Sequence, residues 1–238
     1  LVSQYPQFGT WISSPLYSIF GYLGLFYTNL LAFPVLVFCT HQLGQMMGRT
    51  KNAGLIASTL LVFGTLVWDY ALAAWPHLLS TTVGIGALTL FLRAWESSTY
   101  RVPLLLMSGF LVALSCGIRV DNAFVLASLL CIGACKPPKD WTYVFLFVLG
   151  CLPLFTVMGW INADKWGSWN PFSYGPRAKV TRTTFDPKIV FFLSGIVGLR
   201  LLFLNAPIQR FARQHWLKLL GGGLLALTLF AFSTWGSQ

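Results

Sequence analysis

The chain has 238 residues, of which 56% are hydrophobic, 16% aromatic and only 9% charged, against roughly a quarter charged in an ordinary soluble domain. That balance, with a mean hydropathy of +0.69, excludes a water-soluble globule and calls for a chain solvated mostly by lipid, which only helices or closed barrels can span. The net charge of +10 would point to nucleic acid in a soluble protein; here it reads as loop charge that orients the chain and meets anionic lipid or phosphate.

Leu-rich continuous runs, rather than short alternating strands, select helices. Residues 5–20 come first, with Pro6, Gly9, Ser13, Ser14 and Pro15. They are too broken for a span and too apolar for a solvated tail, so a loop or short helix resting at the membrane surface is expected. Uninterrupted apolar windows then predict eight helices, over residues 23–43, 53–68, 71–92, 102–118, 123–135, 141–161, 189–204 and 219–235. Several fall short of the roughly 20 residues that a spanning helix needs. The short connection 119–122 leaves open whether the fourth and fifth windows form two helices or one long broken helix. The expected fold is all-α, a polytopic transmembrane helix bundle of about eight segments in a single domain, 1–238. Its parts are an outer surface segment 1–22, a six-helix region 23–161, one longer outer-side loop 162–188 and two C-terminal helices 189–238.

Charge gives the direction, because cytoplasmic loops retain Lys and Arg. Arg49, Lys51, Arg93, Arg101, Lys136, Lys139, Arg200, Arg210, Arg213 and Lys218 fall on one side with Glu96 and Asp140, a net +8. Arg119, Lys165, Arg177, Lys179, Arg182 and Lys188 fall on the other with Asp69, Asp121, Asp164 and Asp186, a net +2. The first side is expected to be the cytoplasm. Both ends of the chain then lie outside, and a first residue of Leu rather than Met leads to the expectation of at least one preceding span.

Polar residues at membrane edges carry a cost unless partnered, so they are the places to look for chemistry. Asp69, between Trp68 and Tyr70, reads either as an N-cap for the next helix or as a carboxylate held at the bilayer edge for acid/base work. Arg119 and Asp121 read either as a pair sealing a helix turn or as a phosphate clamp, with Asp121 orienting the planar guanidinium. The loop 162–188, NADKWGSWNPFSYGPRAKVTRTTFDPK, puts cations on the less basic side, where the orientation rule does not explain them. It reads as a loop attracted to lipid headgroups or as a seat for a phosphate-bearing ligand covered by aromatics. A nucleic-acid partner is disfavoured, since no signature of one is present. Cys39, Cys116, Cys131, Cys135 and Cys151 lie in apolar runs as small hydrophobes, and His41, His77 and His215 are too far apart to share a site. No metal is assigned: the outer-side acids could supply oxygen ligands but have no spacing that demands it.

The order of these elements resembles the polytopic GT-C glycosyltransferases, specifically the protein O-mannosyltransferase and aminoarabinose-transferase-like branch. The carriers are YPQFGTWISSPLY, the GRTKNAG turn between paired helices, GFLVALSCGIRVDNAFVLA and KWGSWNPFSYGPRAK. GIRVDN resembles the family's Gly-x-x-x-Arg-x-acid pattern at an outer helix end, and WGSWNPFSYG its loop over the active site. The resemblance implies a polyprenyl-phosphate-linked sugar as donor, used on the outer face. Arg119, Lys165, Arg177, Lys179 and Arg182 would hold the phosphate, and Asp69 or Asp121 would serve as the carboxylate base. The family's principal acid lies in a first outer loop upstream of this chain, and AAWPHLLS carries Trp75 and His77 where an acid often stands. A non-catalytic integral subunit of a larger membrane complex is therefore the alternative expectation. In either case the partners are the bilayer and a lipid-linked sugar, with other membrane subunits in the second. The chain is expected in a bacterial inner membrane or equivalent, or in the endoplasmic reticulum of a eukaryote.

Overall fold

The computed structural model describes residues 8–134 and 141–172; residues 1–7, 135–140 and 173–238 lie outside the described residues. Every regular element of the described part is a helix. It runs α1 (Phe8–Phe20), α2 (Leu23–Gly48), α3 (Lys51–Gly64), α4 (Val67–Ala71), α5 (His77–Glu96), α6 (Arg101–Ile118), a 3-10 turn (Val120–Asn122), α7 (Ala123–Ala134) and α8 (Trp141–Trp166). Apart from Ala134, these residues belong to one contact unit; the rest of a second unit, 135–137 and 184–238, lies outside them.

Four of these helices, α2, α5, α6 and α8, are long and apolar enough to cross a membrane. Pro34 and Pro153 sit inside α2 and α8, as helices packed in an apolar medium tolerate. The segment expected at 53–68 is shorter and broken. α3 stops at Gly64, Thr65 is extended, and Trp68 belongs to the separate five-residue α4. The segment expected from residue 71 begins only at His77, after Pro76, because proline starts a helix readily but cannot continue one. The windows at 189–204 and 219–235 lie outside the described residues. Residues 8–20 form a short helix with Pro15 inside it.

Side-chain contacts fix the direction of each helix. Thr82 and Arg93 of α5 reach Ala32 and Gln42 of α2, so these two helices run parallel. Ser108 and Ser115 of α6 bond the carbonyls of Ala87 and Ser80 at 2.7 and 3.0 Å, so α6 runs against α5. A Cβ on Gly84 would meet Val125 and one on Gly133 would meet Phe91. α7 therefore returns along α5, and the residues around Arg119 form the bend of a hairpin rather than a break in one long helix. α8 runs parallel to α6: Arg101 lies over the Tyr143 ring, and Ile118 packs with Met158 and Ile161. Along that seam a Cβ on Gly109 would fall on the Phe147 carbonyl and one on Gly150 on the Leu106 carbonyl, the close approach that small residues permit between apolar helices. Phe91, Leu105, Val112, Leu129 and Phe147 fill the centre of α5, α6, α7 and α8.

This alternation sorts the described charges by end. Arg49, Lys51, Arg93, Glu96 and Arg101 collect at one end of the bundle, and Asp69, Arg119, Asp121, Asp164 and Lys165 at the other. The division matches the one drawn from loop charge alone.

Candidate functional site

The acidic end is organised by Asn29, 2% exposed on α2. Its amide donates to the carbonyls of Ala73 and Trp75 at 2.6 and 2.7 Å, and its oxygen accepts from the Leu79 amide at 3.4 Å. One buried side chain thus holds the connection between α4 and α5, whose backbone groups have no helical partners of their own. His77 follows directly. Its ring stacks on Tyr70, with centroids 5.3 Å apart and planes at 16°, and leans on Trp75 at 5.6 Å.

Arg119 ends α6 in an extended conformation (φ −147°, ψ 122°), which turns its side chain out of the helix line and toward α5. One guanidinium nitrogen lies 2.5 Å from His77 Nε2 and 3.1 Å from Nδ1; the other forms an ion pair with Asp121. Guanidinium groups only donate, so the imidazole nitrogen in this bond is the acceptor. Beneath the pair, the Asn122 amide reaches the carbonyls of Ser80 and Ser115 at 3.3 and 3.4 Å and both serine hydroxyls, and Ser115 Oγ donates to the Ser80 carbonyl. This staple locks the hairpin bend onto α5. Beside His77 opens a cleft of about 310 Å³. Leu66, Val67 and Leu78 form its apolar lining, and Thr65, Tyr70, His77 and Thr81 supply polar atoms.

The residues singled out in the sequence fare unequally. Arg119 and Asp121 meet as the ion pair that spacing suggested. Asp69 is not a cap for the next helix: it lies exposed in the first turn of α4, eight residues before α5 begins. Lys165 is exposed in the last turn of α8, at the same end as Arg119. The helix runs five residues into what was expected as loop. Residues 167–172 then fold back along it, with Asn162 bonded to the Asn170 carbonyl at 2.7 Å and Phe172 against Phe155. Arg177, Lys179 and Arg182 lie outside the described residues. Sequence reasoning missed Asn29, Ser80, Ser115 and Asn122 as a polar framework, and His77 as the partner of Arg119. A lone Asn within the apolar run of α2 was the available signal.

Among the described residues no group of three His, Cys, Asp or Glu side chains is placed to hold a metal ion. What the fold defines is a class: a helical chain with four membrane-length apolar helices and a polar cluster at one end. Compared with family models, curated proteins and solved structures, the chain matches none.

Proposed function

We propose that the chain is a multi-pass integral membrane protein with its Arg119 end on the outer face, and that it binds a polyprenyl-phosphate-linked sugar there as a GT-C-like glycosyltransferase. The observation that carries the reading is a half-buried arginine, 29% exposed, bonded to His77, which lines a largely apolar cleft at the less basic end of the bundle. A cation there with apolar surface next to it suits a phosphate joined to a lipid chain. Lys165 at the same end adds to the attraction for the phosphate.

In the transfer step the acceptor oxygen attacks the anomeric carbon, and the bond from that carbon to the phosphate oxygen breaks. The phosphate leaves with the electron pair, stabilised by Arg119, and the acceptor proton passes to a carboxylate. Of the carboxylates at this end, Asp69 and Asp121 are the ones assigned to this step. Because Asp121 is already paired with Arg119, a second reading is kept: an integral subunit that binds the lipid phosphate without transferring its sugar.

Both readings are tested with the full chain in phosphatidylcholine nanodiscs, by comparing affinity for polyprenyl phosphate with that for the uncharged polyprenol. The expected result is a preference for the phosphate that Arg119→Ala abolishes while helix content is unchanged. An equal preference in wild type and variant would defeat the reading. Release of sugar from a polyprenyl-phosphate-linked donor separates the transferase from the subunit.

A further inference from the structure

We propose that His77 is the positioning residue for Arg119: it holds the guanidinium in place without neutralising it, while Asp121 is the exchangeable partner that an incoming phosphate displaces. The inference rests on the reading of Arg119 as a phosphate-binding group.

The two partners of Arg119 differ in every respect that matters for exchange. Asp121 is 54% exposed and sits on a three-residue 3-10 turn. Its carboxylate presents to the guanidinium the same paired-oxygen chemistry as a phosphate, so a ligand phosphate can take its place on the guanidinium. His77 belongs to the first turn of α5 and is held on three sides. Tyr70 stacks on one face of its ring, Trp75 leans on it, and Asn29 fixes the backbone on both sides of it, through the Trp75 carbonyl and the Leu79 amide. An imidazole accepting through Nε2 carries no negative charge to cancel that of Arg119. The guanidinium has five N–H donors, so one bond to His77 leaves the remainder for the anion. An acid in the place of His77 would orient Arg119 equally well but neutralise it from both sides. His77 also lines the cleft, so the residue that aims the cation borders the space where the rest of a ligand would lie.

A purely structural role for the ring would rest on its stack with Tyr70, and two substitutions separate the possibilities. His77→Phe keeps an aromatic ring on Tyr70 but cannot accept a hydrogen bond; His77→Gln loses the ring but offers an acceptor oxygen to the guanidinium. The probes are polyprenyl phosphate and polyprenol, titrated into the full chain in phosphatidylcholine nanodiscs. The expected result is a loss of about tenfold in phosphate-over-alcohol preference for His77→Phe, the scale of one charge-assisted hydrogen bond, with His77→Gln within about threefold of wild type. Asp121→Asn should raise phosphate affinity, since the competing anion is gone. The proposal is overturned if His77→Gln loses the preference while His77→Phe keeps it, or if both behave alike, whether intact or impaired. If Arg119→Ala itself retains the wild-type preference, the underlying phosphate reading fails, whatever the His77 variants do.

Discussion

At one end of the bundle Arg93 and Arg101 meet neutral partners. Arg93 is exposed and donates to Gln42; Arg101 bonds the Ser97 carbonyl at 3.2 Å and lies over the Tyr143 ring. At the other end Arg119 is drawn between α5 and the hairpin bend, shares an ion pair with Asp121 and a bond with His77, and rests on a framework of Asn29, Asn122, Ser80 and Ser115. The first arrangement is what long cationic side chains do at the edge of an apolar bundle, burying their stems while their heads reach polar surroundings. The second commits buried polar side chains, Asn29, Ser80 and Ser115, to holding one end of the bundle, and such a cost marks a site.

Four substitutions probe this contrast. The largest effect is expected where both ends depend on one seam: Gly109→Leu drives a side chain into the Phe147 carbonyl and should cost about 3 kcal/mol, read as a lower thermal midpoint in detergent. Asn29→Leu strips partners from three backbone groups at the Arg119 end alone, and should cost about 2 kcal/mol. Proteolysis should then open residues 72–77 first; opening at the opposite end would break the contrast. Arg119→Ala should leave the midpoint nearly unmoved yet reduce phosphate-over-alcohol preference by about tenfold or more. The mildest is Arg93→Ala, an exposed residue whose loss should change stability by less than about 0.5 kcal/mol and leave lipid preference as it was. A lipid effect from Arg93→Ala equal to that from Arg119→Ala would erase the distinction between the ends.

Much of this was legible in the sequence, for reasons that differ by region. Apolar run length located α2, α6 and α8 closely at their N-terminal sides, because in these segments hydrophobicity and helix coincide. It failed at residues 64–77, where Gly64, Thr65 and Pro76 interrupt a run that remains apolar: composition does not register a backbone turn, whereas these residue types do. Charge sorted the ends correctly because the described helices alternate in direction. The Arg119–Asp121 pair was readable since two residues of spacing bring the side chains together locally. His77 was not, because its approach to Arg119 spans 42 residues and depends on α5 and α6 running antiparallel in one register, set by contacts such as Ser80 with Ser115.

The most direct test of the central claim is photo-crosslinking of the full chain in nanodiscs with a diazirine-bearing polyprenyl phosphate, with the matching polyprenol as control, followed by peptide mapping. The account predicts phosphate-dependent labelling of peptides containing residues 65–81 and 118–122, lost in Arg119→Ala. Labelling spread over the exposed faces of α2, α3 and α8, equal for phosphate and alcohol, would contradict it.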